Sequence, residues 1–254
     1  MAVLFEQIDH VAIITLNRPE ARNAVNGDVT AGLEQALDRY EEDDNLRAAI
    51  LTAKGNVFCA GADLKEVAAG NARVLFTRKG GFAGLVKRQR TKPLIASIRG
   101  SAVAGGTEIA LACDLVVATE NSQFGLPEVK RSLVAGAGGV FRLPRAVGPA
   151  AAMEMILTGD AIPAERALQL GLINRVVADE DLDQESLALA NRIAGNAPLA
   201  VQMSLDIARR ALTEDDESLW RRSGEAVRDI GKTEDFKEGP RAFIEKRAPV
   251  WQGR

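Results

Sequence analysis

Histidine, cysteine and aromatic residues are scarce in this chain of 254 residues, and each scarcity excludes a class of chemistry. His10 is the sole histidine, so a Ser-His-Asp triad has one candidate base, and a zinc site would have to be built largely without imidazole. Cys59 and Cys113 form no CxxC pair, which argues against a disulfide framework and suits a reducing, cytoplasmic compartment. Aromatic residues make up 4% of the chain, which leaves few platforms for stacking nucleic-acid bases. If the protein is an enzyme, we expect carboxylates and backbone dipoles to be its catalytic groups.

The chain also lacks an excess of positive charge and long apolar runs. Its 32 Lys and Arg residues stand against 35 Asp and Glu residues, so no basic surplus indicates a nucleic-acid partner. No run of about 18 apolar residues predicts a membrane span, and residues 1–10 lack the features of a signal peptide. A content of 46% hydrophobic and 26% charged residues is typical of a globular protein, here of one or two domains.

Strand-like and helix-like segments alternate along most of the chain. The pattern predicts strands at residues 3–8, 11–16, 47–53, 93–98, 114–119, 122–124 and 172–177. It predicts helices at 28–40, 72–90 with a break at Gly80-Gly81, 107–112, 149–157, 163–170, 181–195, 198–213, 216–231 and 239–247. This alternation predicts an α/β fold with a core over residues 1–195 and a helical region over 196–254.

Two segments combine the end of a strand, small residues and the start of a helix. The first is Ala60-Gly61-Ala62-Asp63-Leu64-Lys65, in which Asp63 can cap the following helix, and the second is Ala104-Gly105-Gly106-Thr107-Glu108. Small residues let a ligand approach the main chain, and free N–H groups at a helix start attract a negatively charged oxygen. Each segment alone is also compatible with a plain turn. If the two face each other, they would form an oxyanion hole.

Two glutamates accompany these turns. Glu108 lies beside the apolar stretch 109–112, and Glu128 follows the rigid turn 125–127. Near one oxyanion site they could act as general acid and general base, although each taken singly is typical of a surface residue. The glycine-rich run at 136–139 matches neither GxGxxG nor a P-loop, which disfavours a nucleotide-dependent oxidoreductase.

Five motifs in order resemble the crotonase family of enoyl-CoA hydratases, enoyl-CoA isomerases and their relatives. They are ITLNRP at 14–19 with Asn23-Ala24, AGADLK at 60–65, AGGTE at 104–108, FGLPE at 124–128 and AFIEKR at 242–247. The tail, at residues 238–243 and 249–251, is similar to a subgroup that includes carnitinyl-CoA dehydratase.

This resemblance implies a spiral ββα-superhelix core and a helical C-terminal trimerisation region, in a homotrimer or a dimer of trimers. It implies an acyl-CoA thioester substrate, with no metal and no cofactor beyond the coenzyme A of the substrate. The resemblance assigns the oxyanion-hole donors to the N–H groups of Ala62 and Gly105, and the catalytic carboxyls to Glu108 and Glu128. Substrate or CoA contacts are further expected at Ala60, Gly61, Asp63, Leu64, Lys65, Gly136 and, from a neighbouring subunit, Phe243 and Lys246. The charges of Arg18 and Arg22 suit CoA phosphates.

The presence of both glutamates favours hydration of a trans-2-enoyl-CoA to a 3-hydroxyacyl-CoA over double-bond isomerisation. Ser132 and Ala135 stand where many relatives carry Gly and Pro, which leaves the acyl-chain length open. Ala62 stands where many carnitinyl-CoA dehydratases carry a bulkier, aromatic residue, which weakens that assignment. The alternatives are an isomerase or a carnitinyl-CoA dehydratase of the same family, and an acyl-CoA-binding protein without turnover.

Overall fold

The computed structural model describes residues 1–254 as twelve strands and ten α-helices. The strands are β1 (Val3–Ile8), β2 (Val11–Leu16), β3 (Ala48–Ala53), β4 (Val57–Cys59), β5 (Phe76–Thr77), β6 (Gly81–Phe82), β7 (Leu94–Ile98), β8 (Ser101–Val103), β9 (Leu115–Thr119), β10 (Gln123–Gly125), β11 (Ile162–Pro163) and β12 (Arg175–Val177). The helices are α1 (Gly27–Glu42), α2 (Leu64–Ala68), α3 (Gly105–Ala110), α4 (Gly139–Val147), α5 (Pro149–Thr158), α6 (Ala164–Gln169), α7 (Leu182–Ala194), α8 (Pro198–Arg210), α9 (Asp216–Ile230) and α10 (Glu234–Glu245). None of these helices combines the length and the apolar character needed to cross a membrane.

Two sheets build the core. The larger has the strand order β1-β2-β3-β7-β9-β12 and is parallel except for the β1–β2 hairpin. The smaller has the order β11-β10-β8-β4, in which β4, β8 and β10 run parallel. The chain passes from the larger sheet to the smaller one three times, at β3–β4, β7–β8 and β9–β10, and a helix follows the first two passes. This repeated unit is the one expected of a ββα core.

The larger sheet is covered on both faces, which explains why its inner strands are almost continuously apolar. Helix α1 packs its buried stripe, which includes Leu33 and Leu37, into the main core with Ile14 and Leu51 of the sheet. Helix α7 packs against the other face of the sheet and forms a second apolar cluster with strand side chains such as Ile50. Because side chains alternate across a strand, Ile50 and Leu51 serve the two opposite faces.

The structure confirms most of the predicted elements and contradicts one. Residues 72–90 are not helical, because Gly81, Ala83 and Gly84 all adopt positive φ angles, which no α-helix accommodates. The segment instead forms a short turn, the β5–β6 pair and further turns. The last helix, predicted at 239–247, begins earlier, at Glu234, where the Thr233 hydroxyl caps it by accepting a hydrogen bond from the N–H of Phe236.

The chain beyond residue 195 is helical, as predicted, and exposes many apolar side chains. Trp220 and Phe243 are 78% and 85% exposed, and helix α9 has no buried residue. The division of the chain at residue 195, and the role of the last 59 residues in assembly, stay predictions.

Candidate active site

The carboxyl ends of three parallel strands meet at one edge of the smaller sheet. Strands β4, β8 and β10 are neighbours there and end at Cys59, Val103 and Gly125. The segments that follow them are the motifs at 60–65 and 104–108 and the turn that carries Glu128. The topology therefore brings together three motifs that are spread along the chain between residues 60 and 128.

A cavity of about 770 Å³ lies at this edge. Most of the predicted site residues line it, namely Arg22, Ala60, Ala62, Asp63, Leu64, Lys65, Gly105, Glu108, Glu128 and Gly136. Gly61 lies between two lining residues, against the 104–105 turn. Phe243 and Lys246 are exposed at the end of helix α10 and do not line the cavity of their own chain, so their contact with a neighbouring subunit's substrate stays a prediction.

The two glycine turns touch each other. Gly61 adopts a φ of +91°, and a Cβ atom built on it would lie 2.9 Å from the backbone nitrogen of Gly105. The carbonyl of Gly61 and the N–H of Asp63 both bond to Val25, so the N–H of Ala62, between them, is directed away from that partner. Gly105 is the first residue of helix α3, and the helix itself does not use its N–H group. Two backbone donors thus lie at adjoining turns beside the cavity.

Phe82 covers this pair of turns. A Cβ atom on Gly105 would lie 2.6 Å from the Phe82 ring, so glycine is the only residue that fits beneath the ring without a shift. Phe82 also packs edge-on against Phe76, with ring centroids 5.6 Å apart, and both rings line the cavity. The site is therefore apolar next to the two donors.

Asp63 caps helix α2, as its position predicts. Its Oδ1 accepts a hydrogen bond from the N–H of Lys65 at 3.1 Å, while Oδ2 pairs with Arg18 at 3.3 Å. Arg18 is therefore engaged in holding the turn. Arg22 and Lys65 line the cavity and have no carboxylate partner, so both remain available to an anionic ligand.

Glu108 is buried on helix α3, with 3% of its surface exposed. Its Oε1 accepts a hydrogen bond from the N–H of Gly139 at 2.9 Å. The pKa of Glu108 is raised to about 7: burial is the largest cause and the nearby Glu128 adds to it, whereas the N–H groups of Gly139 and Ala137 and the charge of Arg142 oppose the rise. A carboxyl with a pKa near neutrality is suited to proton transfer.

Glu128 belongs to a 3₁₀ turn, Pro127–Arg131, and is 9% exposed. Its Oε2 is buried and has no hydrogen-bond partner, which is costly unless a ligand or water supplies one. Burial raises the pKa of Glu128 above its ordinary value, and the positive charge of Arg131 partly offsets this effect. The cavity therefore holds two carboxyls that both favour the protonated form more than an exposed glutamate does.

Sequence reasoning missed several residues of the site. Phe82 was missed because residues 72–90 were predicted to be helical, although the glycines at 80, 81 and 84 were a signal against a helix there. Gly139 belongs to the glycine-rich run that matches no nucleotide motif, and its N–H group binds Glu108. No sequence signal pointed to Arg142.

Two backbone donors and two buried carboxyls beside one cavity define a site that can stabilise an enolate oxygen and move protons on the adjacent carbons. A family model described as enoyl-CoA hydratase/isomerase matches residues 6–254, and the chain belongs to this family, also called the crotonase family.

The relatives support the same assignment. The carnitinyl-CoA dehydratase of Salmonella typhi is 42% identical over 247 residues, which are 95% of this chain and 94% of that protein. The crystal structure of an enoyl-CoA hydratase from Mycobacterium tuberculosis H37Rv superimposes with a TM-score of 0.95 at 45% identity, covering 100% of this chain and 99% of that one. The crystal structure of a carnitinyl-CoA hydratase from Mycobacterium avium superimposes with a TM-score of 0.79 at 45% identity, covering 100% of this chain and 99% of that one. The predicted family and the crotonase fold are confirmed.

Proposed function

We propose that the protein is an enoyl-CoA hydratase that adds water to a trans-2-enoyl-CoA and gives a 3-hydroxyacyl-CoA. The observation that supports this most directly is the burial of both Glu108 and Glu128 in the cavity that adjoins the N–H groups of Ala62 and Gly105. An isomerisation needs one group that moves a proton, whereas the addition of water needs one group that takes a proton from water and another that gives a proton to C2. Two carboxyls therefore favour hydration.

In the proposed reaction, the thioester oxygen accepts hydrogen bonds from the N–H groups of Ala62 and Gly105. Glu108 removes a proton from water, the water oxygen bonds to C3, and the C2=C3 π electrons move toward the thioester oxygen. Glu128 then gives its proton to C2 and the C=O bond re-forms. The proton held by Glu108 returns to Glu128 through solvent, so atoms and charge balance over one turnover.

The expected contributions are large enough to explain catalysis. One oxyanion donor contributes roughly 10²–10³-fold, and each acid–base role roughly 10²–10⁴-fold. The donors act mainly in the transition state, because the negative charge on the thioester oxygen grows there. Burial raises the pKa of both carboxyls, so each exchanges a proton near neutral pH more readily than an exposed glutamate does.

The lining of the cavity supports an acyl-CoA substrate. Arg22 and Lys65 line it without carboxylate partners, so they can meet the phosphates of CoA. The other lining residues include the apolar side chains of Leu75, Phe76 and Phe82, which suit an uncharged acyl chain. No separate cofactor has a part in the proposed reaction.

Dehydration of carnitinyl-CoA is the second candidate, because the curated relative with this name is 42% identical. Its substrate carries a trimethylammonium group on the acyl chain. Arg131 lines the cavity, has no carboxylate partner, and lies on the same face of the 3₁₀ turn as Glu128, since such a turn has three residues per repeat. A second cation there would be repelled, so the cavity favours an uncharged acyl group.

Purified protein incubated separately with crotonyl-CoA, a 3-enoyl-CoA, and crotonobetainyl-CoA, followed by product identification, tests the proposal. We expect 3-hydroxybutyryl-CoA from crotonyl-CoA at a kcat/KM at least tenfold above that for crotonobetainyl-CoA. Conversion of the 3-enoyl-CoA alone would instead establish an isomerase. Tight binding of every ester without any product would establish a non-catalytic acyl-CoA-binding protein.

Assembly and compartment belong to the same proposal. A homotrimer or a dimer of trimers is supported by the exposed apolar side chains of the C-terminal helices, such as Trp220 and Ile244, both 78% exposed. A cytoplasmic location is supported by the two free thiols, Cys59 and Cys113. Light scattering after size exclusion would give the subunit number.

A further inference from the structure

Arg142, on helix α4, lies behind the candidate active site and forms no ion pair with a carboxylate. Its guanidinium is half-buried and donates instead to two backbone carbonyls, those of Ala137 and Val86. We infer that Arg142 is a positioning residue for Glu108: it holds the turn that binds the Glu108 carboxylate, and it places a positive charge near that carboxylate. This inference rests on the proposed function only for its kinetic consequence, because the geometry concerns the carboxyl itself.

The turn at residues 137–139 is the direct link. The N–H of Gly139 donates a hydrogen bond to the Glu108 carboxylate at 2.9 Å, and the N–H of Ala137 also lowers the pKa of that carboxyl. Arg142 donates to the carbonyl of the same Ala137 at 3.3 Å. A Cβ atom on Gly138 would lie 2.3 Å from Nη1 of Arg142, so the guanidinium packs directly on the turn. Loss of Arg142 would therefore loosen the turn that holds Glu108.

The second carbonyl links Arg142 to the segment that carries Phe82. Val86 belongs to the turns that follow Phe82, and its N–H bonds to the carbonyl of Phe82 at 3.3 Å. The Phe82 ring in turn lies over Gly105. One guanidinium thus contacts both the turn that binds the Glu108 carboxylate and the segment that carries Phe82, whose ring covers Gly105.

The charge of Arg142 has a separate, measurable effect. The charged groups that act on Glu108 are Glu128, which raises its pKa, and Arg142, which lowers it. Arg131 acts on Glu128 from the 3₁₀ turn, while Arg90, Arg145 and the Cys113 thiol surround Arg142. Removal of the Arg142 charge leaves burial and Glu128 less opposed, so the pKa of Glu108 should rise.

The test compares Arg142→Gln, which keeps a donor but loses the charge, with Arg142→Lys, which keeps the charge but loses the fork of donors. Arg145→Gln is the matched control, because Arg145 is on the same helix and its guanidinium also lies over the Phe141 ring, at 5.3 Å against 5.4 Å for Arg142. The Glu108 carboxyl is followed by NMR titration with glutamate labelled at Cδ with ¹³C, and turnover of crotonyl-CoA is followed against pH.

We expect the Glu108 titration and the kcat/KM profile of Arg142→Gln to move to higher pH by at least half a pH unit, with little change in Arg145→Gln. We expect Arg142→Lys to keep the wild-type titration but to lose kcat at least fivefold, since the turn is held less well. If Arg142→Gln does not fold, this pair of readouts on Arg142→Lys carries the test.

An Arg142→Gln titration identical to that of the wild type, or an Arg142→Lys variant with normal kcat, would overturn the inference. Absence of turnover in the wild type would instead overturn the proposed function, and the NMR titration of Glu108 would still decide the role of Arg142.

Discussion

The backbone N–H of Gly139 donates a 2.9 Å hydrogen bond to Oε1 of Glu108, so the first residue of one helix holds a carboxyl carried by another. A helix N-terminus favours the negative form of a carboxyl. Burial opposes it and has the larger effect, because the pKa of Glu108 is nevertheless raised to about 7. The fold therefore fixes the carboxyl in place while leaving it easy to protonate.

The first prediction concerns pH and activity. A base must be ionised, and the Glu108 carboxylate takes up a proton as the pH falls through about 7. We expect kcat/KM for crotonyl-CoA to fall roughly tenfold for each pH unit below that value. Steady-state kinetics between pH 5 and 9 in constant-ionic-strength buffer would measure it. A flat profile down to pH 5.5 would contradict the role of Glu108 as the base.

The second prediction concerns stability. A buried carboxyl whose pKa is raised in the folded protein stabilises the fold below its unfolded pKa of about 4.5 and loses this contribution as the pH rises through about 7. At pH 8 the wild type bears the cost of an ionised, buried carboxyl, and Glu108→Gln does not. The free energy of unfolding of the variant should therefore exceed that of the wild type by about 1–3 kcal/mol at pH 8. The difference should shrink toward zero near pH 4.5.

Urea unfolding at pH 5 and pH 8, followed by tryptophan fluorescence, would measure this difference. A Glu108→Gln protein less stable than the wild type at both pH values would show that the carboxylate is better accommodated than its burial suggests. Glu185→Gln is a suitable control, because Glu185 is a surface residue paired with Arg175.

The third prediction concerns Glu128. Its buried Oε2 has no partner in the protein, and Glu128→Gln keeps the shape of the side chain while removing its titratable proton. We expect the variant to fold and to bind butyryl-CoA normally, but to lose at least two orders of magnitude in kcat for crotonyl-CoA. Near-normal turnover would remove Glu128 from the mechanism. Stopped assays with product identification would detect both outcomes.

The parts of the fold that were predictable from sequence are those in which local pattern and burial agree. The apolar strand 48–53 and the helices 182–194 and 216–230 show clear periodicity, and the structure contains all three. The segment 72–90 failed because its apolar residues have helical spacing, whereas Gly81 and Gly84 need positive φ angles. Backbone conformation overrode the side-chain pattern there.

The candidate site was predictable where it depends on short motifs, and not where it depends on contacts between distant segments. Glu108 and Glu128 were chosen from their turns, and the structure places both in one cavity. The bond from Gly139 to Glu108 spans 31 residues, and that from Arg142 to Val86 spans 56. Nothing in the local sequence encodes such pairs, because they arise only when α4 packs beside α3 and the 82–86 turns.

The last prediction concerns the contact between the two glycine turns. In Gly61→Ala, the new methyl group would lie 2.8 Å from the Cβ of Ala104 and 2.9 Å from the nitrogen of Gly105, at a φ of +91°. The turns must then separate, which moves the two predicted donors apart. Gly171→Ala is the matched control, since Gly171 also has a positive φ, of +78°, but its methyl group would meet nothing nearer than 3.9 Å.

Both variants should lose about 1–2 kcal/mol of stability from backbone strain, and Gly61→Ala should lose more because its methyl group also clashes. Only Gly61→Ala should lose activity, by about 10²-fold or more in kcat. Urea unfolding and crotonyl-CoA turnover, measured on both proteins, separate the two effects. Once the turns separate, the Ala62 and Gly105 amides can no longer both make short hydrogen bonds to one oxygen. If Gly61→Ala nevertheless turned over crotonyl-CoA as fast as Gly171→Ala, the spacing of these two amides would not control the reaction.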